Sequence, residues 1–236
     1  MTATTKWPRP DLPKPPERLF PLIRHLSWRL TPVFIRLKFN ANTITIFSLV
    51  SGLCAGLLLA QGTQTSSIYG AIAFALAYLL DNCDGEVARA TGNISRLGAR
   101  LDDIADWLVD AAFFAGLGIG VAVMRGADIW MWLGFAAAAG GTIDSAIKLF
   151  RTRDEIPEQT GDRGATPMFV KESRVPKDLT DWVFLFYQKL SRADFWLIVL
   201  VLVVIGWQWV LLPLAAIGAQ IYWISGLSPR ARGWKV

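Results

Sequence analysis

The apolar positions of this chain come in blocks of roughly twenty, not at the three- and four-residue spacing of a surface helix. Six stretches approach the length that crosses a bilayer core: about 43–60, 68–88, 101–124, 129–150, 194–207 and 209–227, the fifth being the shortest. The pattern predicts an all-α integral membrane protein with six transmembrane helices, forming one domain over 41–228. Residues 1–16 carry five prolines and little that can pack, so a disordered tail is expected there. Residues 17–40 interleave Leu, Ile, Phe and Trp with Arg18, Arg24, Arg29, Arg36 and Lys38. That mixture predicts an amphipathic helix lying in the membrane interface, broken or kinked at Pro21 and Pro32. A helix packed on the protein's own surface is the alternative. A hydrophilic segment at 151–192 separates the fourth and fifth stretches and is long for a helix–helix connection. Its second half, "DLTDWVFLFYQKLSR", reads as a helix starting near Asp178 or Thr180. Residues 229–236 form a basic tail.

Composition agrees with a membrane protein. The 236 residues are 53% hydrophobic with a mean hydropathy of +0.38, too apolar for an ordinary soluble domain. With a cytoplasmic N-terminus and six spans, every one of the 24 basic residues except Arg125 falls on the inner side. Both termini and the acidic cluster described below are then cytoplasmic, in the cell inner membrane if the source is bacterial. Asn93-Ile94-Ser95 matches a glycosylation acceptor but lies on that inner side and is expected to go unused. No cleavable signal peptide is expected. The net charge of +5 reads as attraction to anionic lipid, and no nucleic-acid module accompanies it. Cys54 and Cys83 make no disulfide framework, and a single histidine, His25, excludes a His-based metal site or triad.

Against this apolar background, "DNCDGEVARATGNISRLGARLDDIAD", Asp81 to Asp106, places six carboxylates at the ends of two predicted spans. Charge at membrane depth is expensive and marks a functional site by default. On a helix Asp81 and Asp84 lie about 60° apart, and Asp102 and Asp106 about 40° apart, so each pair shares a face. Two antiparallel helices can converge these four acids on one point. Oxygen donors in that number suit Mg²⁺, Mn²⁺ or Ca²⁺. Gly85 and Ala88 leave room for a ligand, and Arg89 adds a cation. Together these features suit a diphosphate ester.

The spacing Asp81-x-x-Asp84-Gly85-x-x-Ala88-Arg89, eight residues, then Gly98-x-x-x-Asp102-x-x-x-Asp106 resembles the signature of the CDP-alcohol phosphotransferase (CDP-alcohol phosphatidyltransferase) family at every defining position. "NANTIT", Asn40 to Thr45, also looks like the family's start of the first span, whereas the segment at 151–192 is larger than the family leads one to expect. The resemblance implies a two-ion Mg²⁺ or Mn²⁺ centre held by Asp81, Asp84, Asp102 and Asp106. It implies a nucleotide pocket shaped by Gly85, Ala88, Arg89, Gly98, Asn42 and Thr45, with Asp106 as general base. It further implies transfer of a phospho-alcohol, commonly phosphatidyl, group from a CDP-linked donor such as CDP-diacylglycerol to an alcohol hydroxyl, with release of CMP, in phospholipid biosynthesis. Homodimers are common in the family.

The neighbouring polar residues have simpler readings. Glu86 and Asp103 point away from the acid pairs by helical phase and read as solvent-facing or headgroup-level charges. Asp110, two turns deeper than Asp102, reads as a buried acid. Asp144 and Lys148 have the spacing of an ion pair. Lys148, Arg151, Arg153 and Arg192 read either as the basic inner side of the topology or as an anion pocket, which would favour a phosphorylated polyol acceptor such as glycerol 3-phosphate or inositol phosphate. The tryptophans at 130, 132, 207 and 209 read as an outer aromatic belt. A prenyltransferase using aspartate-bound Mg²⁺, or a cation transporter, are the alternatives.

Overall fold

The structure is a computed structural model describing residues 16, 21–152 and 194–227, and those residues form helices with no strand among them. The predicted tails at 1–16 and 229–236 and the helix near Asp178 lie essentially outside the described residues. In chain order the helices are α1 (Ile23–Arg36), α2 (Ala41–Ala60), α3 (Gln64–Thr91), α4 (Arg96–Arg125), α5 (Ile129–Thr152), α6 (Phe195–Val204) and α7 (Leu211–Leu227), with a 3₁₀ turn at Gln208–Val210. Of these, α2 and α4 are both long and apolar enough to cross a membrane. The described part of α6 has only ten residues.

Local chemistry sets the boundaries around the acidic motif. Thr63 caps α3 by accepting a hydrogen bond from the Ser66 N–H at 3.1 Å. The helix ends at Gly92, whose φ of 67° is a left-handed conformation that glycine adopts without strain, and the Asn93 N–H reaches back to the Ala88 carbonyl at 3.0 Å. Three residues later Ser95 caps α4 through the Gly98 N–H at 3.0 Å. This short turn runs α3 and α4 in opposite directions with their acid-bearing ends together.

Helix α2 packs along both α3 and α4, which make few contacts with each other. The α2–α4 crossing is close enough that a Cβ on Gly116 would overlap the Gly56 backbone. Between α3 and α4 the stacked rings of Phe74 and Phe113, centroids 4.2 Å apart, meet Phe195 of α6 edge-on. At the opposite end of α4 the Arg125 guanidinium lies over Trp130 and Trp209, 5.3 and 4.4 Å from the ring centroids.

Among the described residues of the 17–40 segment, helix α1 begins after Pro21, continues through Pro32 and ends at Arg36. Its residues Ile23, Ser27, Thr31 and Ile35 recur every fourth position and are buried, largely against α3. Arg24, Arg29 and Arg36 are exposed. A packed face that includes two hydroxyls is the pattern of a helix docked on its own protein, whatever its outer face meets.

Candidate active site

Near the shared end of α3 and α4, Asp81, Asp102 and Asp106 each offer a carboxylate oxygen, and the three oxygens lie within 4.8 Å of one another. A divalent cation about 2.0–2.6 Å from each oxygen spans such separations. The residues present fit the ion on a second count. Asp102 Oδ1 is buried and has no hydrogen-bond partner among the described residues, as expected of an oxygen waiting for a cation.

Asp84 departs from the fourfold convergence suggested by helical phase. It is 4% exposed and lies outside the three-oxygen set. Its Oδ2 accepts a hydrogen bond from the Thr45 hydroxyl at 2.5 Å, so Thr45 of α2 holds it at the edge of the cluster. Thr45 Oγ1 is also 3.1 Å from the Ala41 carbonyl, but its single proton goes to the nearer, charged acceptor.

The residues expected to shape a nucleotide pocket lie on α2, α3 and α4 around this cluster. A Cβ on Gly98 would sit 2.9 Å from Asn42 Oδ1, so Asn42 packs over the glycine. A Cβ on Gly85 would meet the Arg89 guanidinium at 3.1 Å, so the missing side chain gives that cation space to fold back. Ala88 packs at the edge of a small core that includes Cys83, Val87 and Ala90. Both cysteines are free. Lys148 and Arg151 fall in the last turns of α5, their side chains not among those described, and Arg153 and Arg192 lie outside the described residues.

Three polar residues differ from their sequence readings. Glu86 does not point to solvent: its carboxylate accepts from Ser27 Oγ at 2.6 Å and Thr31 Oγ1 at 2.7 Å, fastening α1 to α3. Asp110 is exposed, not buried, because it stands on the wall of a cavity of about 1040 Å³. Asp144 is buried and lines the same cavity. Asp81 and Asp106 stand on that wall too, with Tyr78 and Asn82, and Phe74, Phe114, Phe195 and Leu211 form apolar parts. Asp103 is exposed, as its phase suggests.

Asp194 was not legible as a site residue. It stands just before the apolar run of α6, where an N-cap belongs, yet it makes no cap bond to its own helix. Its carboxylate accepts from the backbone N–H groups of Leu22 at 2.8 Å and Ile23 at 3.0 Å, capping α1 from far along the chain.

Two helices thus meet at a carboxylate cluster beside a cavity whose wall mixes acidic and apolar side chains, the class of site that suits a polar group carried on an apolar body. The profile of the CDP-alcohol phosphatidyltransferase family matches residues 38–221, and the chain belongs to that family. It is 32% identical over 124 residues to the bifunctional IPC transferase and DIPP synthase of Aquifex aeolicus, covering 52% of this chain and 27% of that protein. It is 36% identical over 88 residues to the phosphatidylinositol phosphate synthase of Mycobacteroides abscessus, covering 37% and 39%. A third relative is the archaetidylinositol phosphate synthase of Pyrococcus horikoshii, 32% identical over 103 residues, covering 44% and 53%. These matches span about a quarter to half of the curated relatives' lengths. The fold resembles the crystal structure of Mycobacterium tuberculosis phosphatidylinositol phosphate synthase with CDP-DAG bound, with a TM-score of 0.51 at 20% identity over 82% of this chain and 89% of that one.

Proposed function

We propose that this protein transfers a phosphatidyl group from a CDP-linked lipid donor to the hydroxyl of a phosphorylated polyol, inositol phosphate being favoured, and releases CMP. The observation that carries the reading is the three-carboxylate cluster, two of whose members, Asp81 and Asp106, line the cavity, within a chain of this family. Relatives named for inositol phosphate products support the acceptor. Family membership also removes the grounds for a prenyltransferase or a cation transporter.

Asp81, Asp84, Asp102 and Asp106 would hold two Mg²⁺ or Mn²⁺ ions. When bound, such ions neutralise diphosphate oxygens and stabilise the departing phosphate. Asp106, exposed beside the cavity, is placed to take the proton of the acceptor hydroxyl as its oxygen attacks the lipid-bearing phosphorus and CMP leaves. Gly85 and Gly98 keep side-chain bulk away from the nucleotide, and Asn42, Thr45 and Arg89 border it. The apolar wall suits the lipid part of the donor. Six spans with a cytoplasmic acidic end, α1 along the interface and a homodimeric assembly complete the proposed arrangement. Lys148, Arg151, Arg153 and Arg192 remain the proposed acceptor pocket at the same end.

The test is Mn²⁺-dependent CMP release from CDP-diacylglycerol by the purified protein with glycerol 3-phosphate, inositol, inositol phosphate, serine or water. Release with inositol phosphate, lost in Asp84→Asn, supports the reading. The absence of metal-dependent CMP binding would overturn it. Asp106→Asn is expected to retain CMP binding while turnover falls about 10²- to 10⁴-fold, the usual contribution of a general base. Retained turnover removes Asp106 from that role.

A further inference from the structure

We propose that Arg24 binds a phosphate group of the substrate in the cavity and that Asp194 is the residue that positions it. The proposal rests on reading the site as a phosphate-ester transferase. Among the described residues lining the cavity, Arg24 is the one cation, set against Asp81, Asp106, Asp110 and Asp144. A phosphate brought to a wall that carries acidic side chains is favoured by a cation on the same wall, and a guanidinium offers a planar fork matched to phosphate oxygens.

Arg24 is not simply part of the basic outer face of α1. Arg29 and Arg36 are exposed on the same helix and do not line the cavity. The N–H groups that begin α1, which would otherwise attract an anion, already donate to the Asp194 carboxylate. The positive end of the helix is therefore taken, and among the described residues Arg24 is the cation left at this wall. Its backbone is held on both sides. Asp194 anchors the residues just before it, and Glu86 binds Ser27 and Thr31 in the next two turns. Asp194 also directly precedes Phe195, another wall residue, so one carboxylate ties two sides of the cavity together. An arginine on a fixed backbone loses less freedom on binding than one on a loose helix.

The experiment uses the full chain in detergent with Mn²⁺, and measures binding of CMP, inorganic phosphate, inositol phosphate and neutral inositol. Arg24→Ala is expected to weaken inorganic phosphate and inositol phosphate about tenfold or more, the scale of a charge-assisted hydrogen bond, with inositol unaffected. Arg24→Lys should keep part of the affinity, and Arg29→Ala all of it. Loss confined to inositol phosphate and inorganic phosphate assigns the contact to the acceptor. Parallel loss of CMP affinity assigns it to the donor diphosphate. Asp194→Asn should raise the KM of the phosphorylated substrate with kcat unchanged, and an unchanged KM removes Asp194 from the positioning role. Wild-type protein that binds neither phosphate probe, or Arg24→Ala that binds every probe as wild type does, overturns the assignment. Failure of the transferase reading shows separately, as absent CMP binding by the wild type.

Discussion

The hydroxyl of Thr45 donates to the carboxylate of Asp84 at 2.5 Å, both side chains being buried at the α2–α3 contact. The bond explains why Asp84, only one turn from Asp81, stands outside the three-oxygen cluster. It also makes Thr45 a support for one of the acids proposed to hold metal, beyond its own proposed place beside the nucleotide.

Thr45→Val keeps the shape but leaves a buried carboxylate oxygen without its donor. A loss of about 1–3 kcal/mol of stability is expected, with Mn²⁺-dependent CMP binding weakened about 10- to 100-fold, as for other residues that orient metal ligands. Thr45→Ser should restore most of both. Thermal melting and calorimetric titration of CMP check the pair, and unchanged CMP affinity in the valine variant would limit the hydrogen bond to packing.

The attachment of α1 through Glu86 gives a second prediction. Ser27 and Thr31 are fully buried, and both donate to the same carboxylate. Ser27→Ala and Glu86→Gln, alone and combined, should show a coupling of about 0.5–3 kcal/mol in melting experiments. Limited proteolysis should cut near α1 faster in each variant. Additive effects would show that the apolar face led by Ile23 and Ile35 docks the helix without them.

The acid pairs and most of the helices were legible in the sequence because both follow from periodicity along one chain segment. Apolar runs mark the helices, and three- or four-residue spacing puts carboxylates on a common face. What those faces meet was not legible. The phase of Glu86 correctly turns it away from Asp81, but only the packed structure shows that the hydroxyls of α1 occupy that side. Asp110 was read as buried because sequence depth does not distinguish a packed core from a cavity wall. Asp194 carries the local sign of an N-cap, yet the helix it caps begins 171 residues earlier at Ile23. Nothing local announces a bond of that range.

Arg125 tests whether the far end of the bundle is separate from the chemistry. It lies 23 residues along α4 from Asp102, a rise of about 35 Å. Arg125→Ala removes the cation from above Trp130 and Trp209 and should cost about 0.5–2 kcal/mol in thermal stability. CMP binding and turnover at a temperature where the variant stays folded should match wild type. A fall in turnover under those conditions would show that the two ends are coupled.

Metal loading gives the most direct check of the cluster. Asp81, Asp102 and Asp106 bring like charges within 4.8 Å, and Asp102 Oδ1 has no hydrogen-bond donor among the described residues, so a bound cation relieves repulsion and satisfies that oxygen together. Binding only to the folded state stabilises it by RT ln(1 + [L]/Kd), about 2.7 kcal/mol at a hundredfold excess over Kd. Chelated protein titrated with Mn²⁺ should therefore melt progressively higher. Asp102→Asn keeps the size of the side chain but lowers its charge and weakens it as a ligand, so most of that shift should disappear. Asp103→Asn, at the exposed neighbour outside the cluster, should keep it. Equal shifts in both variants would mean that Mn²⁺ is answering general negative charge at this end of the protein and that the three oxygens are not its site.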